Sequence, residues 1–293
     1  MKSRLHRDFF NMKNVSLFLV TKSIGLYINL LSFVVPKKAS QLAYAFFSEP
    51  RKGKLTLNKL PKTLKETHTE TFQYKEHSFQ AYIWSGNENK ILLIHGWESN
   101  SSRWENLLPH LKETGSTIIA IDGPAHGLSS GKEFSIPNYA EYINIAVTKF
   151  EPQYLIGHSI GGKACLYYQS LYQNSGIKKM VILGSPSDFK IILQNYINLL
   201  SLNSKISKEL ENHYLNHFKL KIDEFSSQRF ASKLNTKGLI AHDYDDSVVS
   251  FEEGKKIAQS WKNSHFIETK GLGHSMHDYA LYQKVTQFLF DTK

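Results

Sequence analysis

Residues 152–172 read PQYLIGHSIGGKACLYYQSLY. The stretch opens on a short, nearly continuous apolar run, which suits a strand buried on both faces of a parallel sheet. From Gly162 onward the apolar residues take helical spacing. Between the two lies Gly157-His158-Ser159-Ile160-Gly161. The G-x-S-x-G pattern alone is too common to identify a nucleophile, because a glycine-rich turn with a serine N-cap has the same letters. Its position separates the two readings. On a sharp strand-to-helix turn the serine is thrust outward, and small residues two before and two after keep the strand and helix from colliding with it. Ser159 is therefore the candidate nucleophile, and Gly157 and Gly161 are the elbow glycines. The N–H of Ile160, at the start of the helix, would face a developing oxyanion.

The same rhythm runs outward in both directions. Short apolar runs occur at 90–96 (KILLIHG), 116–123 (STIIAIDG), 178–185 (KKMVILGS), 237–243 (KGLIAHD) and 264–271 (SHFIETKG). Helical spacing fills the intervals 104–112, 139–150 and 162–173. Residues 72–84 alternate apolar and polar around Glu76-His77, as an antiparallel pair would. This alternation predicts an α/β fold with a mostly parallel, twisted sheet flanked by helices. Residues 190–236 break it with helical patterns and no convincing strand, which predicts a small helical cap inserted at the strand ends, where open α/β sheets bind ligands.

A serine hydroxyl needs a base, and the base needs an orienting carboxylate. The run at 237–243 leads into an acidic cluster, Asp243, Asp245 and Asp246, and the run at 264–271 leads to His274. Both follow strands, on the same sheet edge as Ser159. The chain order Ser, Asp, His suits this fold.

Taken together, ILLIHGWESNSSRW, IIAIDGPAHGLSSG, YLIGHSIGG, LIAHDYDDSVV and KGLGHS resemble the signposts of the α/β-hydrolase-fold serine hydrolases, esterase-like and lipase-like members included. The resemblance covers about residues 70–293. It implies Asp246 as the acid, four residues after His242 and followed by Val249, with Asp245 as the fallback; Asp243 and Asp245 otherwise read as exposed turn acids. It implies His274 as the base, with His277 the rival. It places the second oxyanion N–H on Trp97, whose indole walls an acyl pocket or simply packs. His95 buttresses the oxyanion loop, His158 is structural, and His126 shapes its loop. Arg103 and Trp104 brace the following helix and receive no chemical role.

Charge is distributed unevenly. Residues 1–60 hold eleven Lys and Arg against Asp8 and Glu49, whereas residues 61–293 hold 25 against 24. A nearly neutral body argues against nucleic acid as a partner. Residues 15–35 are apolar apart from Lys22, but Thr21, Lys22, Gly25, Asn29 and Ser32 recur every three or four residues as one polar stripe. Lys2, Arg4, Arg7 and Lys13 precede the run, and Lys37 and Lys38 follow it. The order of expectation is an amphipathic helix on the domain or a membrane surface, then a span, then a signal peptide. A second helix is expected over 39–47, stopping before Pro50, and 51–65 reads as a linker. The resulting domain plan is a basic N-terminal helical segment and linker at 1–65, a hydrolase core at 66–189 and 237–293, and a cap at 190–236.

The expected activity is hydrolysis of a carboxylic ester or thioester through an acyl-enzyme, with Ser159, Asp246 and His274 as the triad. The expected partner is a small, hydrophobic acyl substrate, with a peripheral membrane contact through residues 1–60. Carbon–carbon bond hydrolysis and acyl transfer would use much the same residues. A non-catalytic binding module on this fold would more often carry a damaged triad. No cofactor and no metal are implied. The single cysteine, Cys165, allows no internal disulfide and fits a cytoplasmic setting.

Overall fold

The strand-forming runs assemble into one eight-stranded sheet. In the computed structural model, which describes residues 2–291 and the side chains of 18–291, the strands are β1 (His68–Tyr74), β2 (His77–Trp84), β3 (Asn87–Ile94), β4 (Ser116–Ile121), β5 (Tyr154–His158), β6 (Lys179–Leu183), β7 (Lys237–Asp243) and β8 (Ser264–Thr269). Their order is β1-β2-β4-β3-β5-β6-β7-β8. β1 and β2 form the expected hairpin, with Phe72 opposite Phe79. β2 meets β4 antiparallel, and every later pairing is parallel. The chain leaves β3 toward β4 and returns on the other side to β5. That reversal makes the carboxyl ends of β3 and β5 the switch point of the sheet, and Ser159 directly follows β5.

Period-two alternation explains why the central runs are apolar throughout. Ile91, Leu93, Ile118, Ala120, Tyr154, Ile156, Val181 and Leu183 share one core cluster with Leu108, Leu111, Leu281, Val285 and Leu289 from the helices Leu108–Glu113 and Tyr279–Phe290. Their neighbours Leu92, Ile94, Ile119, Leu155, Ile182 and Ile240 point to the opposite face and are equally buried. β8 is an edge strand, and none of its residues is fully buried. The helix Ile136–Phe150 starts where the Ser135 hydroxyl accepts from Asn138 N, with proline in the first turn.

The segment 51–65 departs from the linker reading. Lys54 bridges to Gly127, the Lys54 ammonium donates to Ser129 O at 2.7 Å, and Leu64 is buried in the core cluster. A basic, polar composition conceals these contacts because most of them use backbone atoms and one apolar side chain.

The chain divides into two compact units, Ser48–Asp188 with Ser226–Lys293, and Met1–Phe47 with Phe189–Phe225. These boundaries differ from the three segments drawn from sequence. Residues 226–236 join the sheet unit, where Ser227 Oγ donates to Pro186 O and Phe230 packs on Tyr167. The rest of the insertion joins the N-terminal helices.

That second unit consists mainly of four helices, Lys2–Val34, Pro36–Ser48, Phe189–Leu200 and Ser204–Phe218. The polar stripe of the first helix is spent inside it. Lys22 Nζ donates to Asn198 O, Leu199 O and Ser201 Oγ at 3.2, 2.9 and 2.7 Å, capping the last carbonyls of Phe189–Leu200. Asn29 donates to Ser201 O and accepts from Asn203 N, and Ser32 Oγ accepts from Asn203 Nδ2. The side chains of Lys2, Arg4, Arg7 and Lys13 lie outside the described residues. Among those described, no helix is long and apolar enough to cross a membrane.

Gly25 fixes the closeness of this packing, since a Cβ there would lie 1.7 Å from Leu200 O. Replacing a mid-helix glycine with alanine ordinarily stabilises by about 1 kcal/mol. Gly25→Ala should do the opposite and lower the thermal midpoint in a circular-dichroism melt; an unchanged or raised midpoint would contradict the packing.

Candidate active site

The elbow around Ser159 is built from close contacts. Ser159 has φ 55° and ψ −128°, a conformation that costs a non-glycine residue roughly 1–3 kcal/mol unless its surroundings hold it. Ser159 N donates to Leu183 O at 2.8 Å, and Ser159 O accepts from Gly162 N at 3.0 Å. A Cβ on Gly157 would come within 2.6 Å of Gly162 Cα, and one on Gly161 within 2.3 Å of His95 O. The glycines are thus demanded by contact with other backbone. Gly96 adds a third approach, because its Cβ would lie 2.9 Å from Ser159 Cβ. The loop after β3 therefore passes directly against the serine, and Trp97 is its next residue. Ile160 begins the helix Ile160–Tyr172, so its N–H lacks an acceptor within the helix.

Two further loops complete the arrangement. His274 Nε2 lies 3.0 Å from Ser159 Oγ, and His274 Nδ1 lies 2.8 Å from Asp246 Oδ2. With Asp246 ionised, Nδ1 donates to it and Nε2 is left to accept from the serine hydroxyl. Burial raises the cost of charge on Asp246, but hydrogen bonds from His242, His274 and the N–H groups of Val249 and Val248 outweigh it and hold the carboxyl well below its ordinary range. This chain of hydrogen bonds can draw a proton from Ser159 and stabilise the imidazolium that results. Asp245 is exposed and accepts from Gly271 N instead. His277 pairs with the Tyr282 hydroxyl.

Asp243 corrects the sequence reading. It is completely buried, where an exposed turn acid was expected. Its Oδ1 accepts from Asp245 N and Gly273 N, and its Oδ2 from Thr269 Oγ1 and Leu272 N, all between 2.8 and 3.0 Å. One carboxylate thereby ties the loop carrying Asp246 to the loop carrying His274. Nothing in the local sequence distinguishes it from Asp245, two residues on. Arg103 was also given no chemistry, yet its guanidinium donates to Ser275 O at 3.0 Å and so holds the residue after His274.

The neighbouring histidines are neutral supports. His95 is fully buried, accepts from Gly123 N at Nε2 and contacts Gly96 O through Nδ1; burial lowers its pKa to about 4. Burial likewise lowers that of His126 to about 3, with a contribution from His95. His126 Nε2 accepts from Glu98 N. His158 Nε2 meets His274 O at 2.8 Å, and burial keeps the ring uncharged. The indole of Trp97 packs edge-on against His126 and Phe134. Trp104 is buried in the core. Among the described residues, no cluster of His, Cys, Asp or Glu could hold a metal ion.

Known proteins share this architecture. Residues 89–225 match the family model described as the alpha/beta hydrolase fold. Est1E from Butyrivibrio proteoclasticus, solved with ferulic acid bound, superposes with a TM-score of 0.61 at 18% identity, over 75% of this chain and 97% of that one. The chain has the α/β-hydrolase fold. Among relatives in sequence, proline iminopeptidase of Lacticaseibacillus rhamnosus (strain Lc 705) is 32% identical over 116 residues, 37% of this chain and 40% of the relative. A serine hydrolase-like protein of Danio rerio is 30% identical over 108 residues, 34% of this chain and 32% of the relative. The match thus spans about a third to two fifths of the length of these relatives.

Asp243→Ala would leave the N–H groups of Asp245, Leu272 and Gly273 without their acceptor and untie the two loops. It should lower stability by about 2–4 kcal/mol in urea unfolding. Asp245→Ala, at an exposed site, should stay within about 0.5 kcal/mol of the parent. Equal effects would remove the distinction between the two acids.

Proposed function

We propose that the chain is a serine hydrolase that cleaves a carboxylic ester or thioester through an acyl-enzyme. The observation that carries this reading is the continuous hydrogen-bond chain from Ser159 Oγ through His274 to Asp246, with Ser159 held at a strained, positive φ.

In the first half-reaction His274 Nε2 takes the hydroxyl proton as Ser159 Oγ bonds to the substrate carbonyl carbon. The carbonyl oxygen becomes an oxyanion, held by the N–H groups of Trp97 and Ile160. The tetrahedral adduct collapses, the bond to the alcohol or thiol breaks, and His274 returns the proton to that leaving group. In the second half a water molecule gives a proton to His274 and attacks the acyl carbon. Collapse releases the carboxylic acid, and the proton goes back to Ser159. Asp246 stays ionised throughout and holds the imidazole in the required tautomer. The aromatic surroundings of the oxyanion loop, Trp97 and Phe134, favour an apolar acyl group. The reaction needs no metal or organic cofactor.

Hydrolysis of a short-chain nitrophenyl ester tests the assignment. Ser159→Ala should lower kcat by at least about three orders of magnitude, and Asp246→Asn by a similar factor through loss of the correct tautomer. A fluorophosphonate should label the parent at Ser159. Activity in Ser159→Ala equal to the parent would sink the proposal.

A further inference from the structure

The N-terminal helix is inside-out for a helix in water. Its polar stripe of Lys22, Asn29 and Ser32 is consumed by backbone and side-chain partners in the turn that joins Phe189–Leu200 to Ser204–Phe218. Its opposite face is apolar and open. Leu19, Leu26, Leu30 and Phe33 follow spacings of seven, four and three, and each is 58–75% exposed. Val20, Tyr27 and Val34 run beside them at spacings of seven and are 55–78% exposed. On a helical projection these seven residues fill an arc of about 140°, interrupted only by Ser23. Beside them, a shallow groove of about 570 Å³ lined by Leu19, Val20, Ile24, Tyr27, Leu42 and Phe46 extends the apolar surface onto the second helix.

Single exposed hydrophobic residues need no explanation, but a contiguous stripe of this size does. Charge identifies what covers it. The first 60 residues carry eleven basic groups and two acidic ones, and the rest of the chain is nearly neutral. Lys37 and Lys38 are exposed immediately past the stripe. The one basic residue within the stripe's length, Lys22, is drawn to the other side of the helix by three carbonyl and hydroxyl acceptors. An apolar face bordered by cations is what the boundary between anionic headgroups and acyl chains accommodates. A second copy of this chain would bring the same excess of positive charge against it and be repelled.

We propose that this face seats the protein on an anionic lipid surface, with the helix lying in the plane of the membrane. Leu19, Leu26, Leu30, Phe33 and Val34 enter the acyl boundary, and the basic groups meet the lipid phosphates. The inference is independent of the chemistry at Ser159.

Full-length protein floated with vesicles of phosphatidylcholine, with and without phosphatidylglycerol, tests it. Binding should favour the phosphatidylglycerol vesicles and weaken as salt rises. The double variant Leu30→Glu, Phe33→Glu should lose at least about tenfold in binding while keeping the melting profile and ester hydrolysis of the parent. Phe33→Trp supplies a reading that does not depend on that variant folding: its added emission should be quenched by lipids brominated on their acyl chains. Absence of binding to phosphatidylglycerol vesicles, binding unaffected by the two glutamates, or an unquenched Phe33→Trp signal would each overturn the proposal. A stable dimer in light scattering that the two glutamates convert to monomer would assign the face to a second copy and overturn it as well.

Discussion

Close approach at three glycines is the constraint on which the rest of the site depends. Ser159 stands at a positive φ that its own chemistry disfavours, and only dense surroundings hold it there. Gly157 admits the first turn of the following helix, Gly161 admits the carbonyls of Ile94 and His95, and Gly96 brings the next loop against the serine. Any side chain at these points would push apart the strand, helix and loop that meet at Ser159. The elbow is thus a packing feature first, and its chemical consequence is a hydroxyl displayed at the switch point of the sheet.

Around that point, buried acids do the work of placing loops. Asp122 accepts from Ser101, Tyr82 and Leu128 and joins the loop after β3 to the loop after β4. Asp243 does the same for the loops after β7 and β8. A buried carboxylate is costly unless its oxygens are fully engaged, and each of these engages both. The result is that Gly96 and His274, which lie 178 residues apart in sequence, reach Ser159 on loops with little freedom. The histidines follow the same logic: burial keeps His95, His126 and His158 neutral, so His95 and His126 each use one ring nitrogen as donor and the other as acceptor, and His158 meets His274 O through Nε2.

The second unit solves the opposite problem. A helix with one polar stripe would ordinarily turn it to water. Here the stripe satisfies the carbonyls at the end of Phe189–Leu200, and the apolar side is left over. Inward use of polar groups and outward use of apolar ones are linked, because one helix cannot bury both faces against a single hairpin.

By itself, the sequence determined the order of strands and helices, the elbow at Ser159, and the identities of His274 and Asp246 as the histidine and acid that meet there. Those features are local: apolar runs report burial, glycines at fixed offsets report close approach, and residues after strands share one edge of a sheet. What only the tertiary structure decided was non-local. Asp243 and Asp245 look alike in the chain, and one is buried under four donors while the other is exposed. Arg103 reads as a helix neighbour and instead reaches a loop 172 residues away. The residues 51–65 read as linker and are pinned by backbone contacts that composition does not encode. The periodicity of the N-terminal helix revealed two faces without revealing which one turns inward. A pattern can show that a helix has a polar side and an apolar side, but only the partner packed against it decides which side is left for another surface.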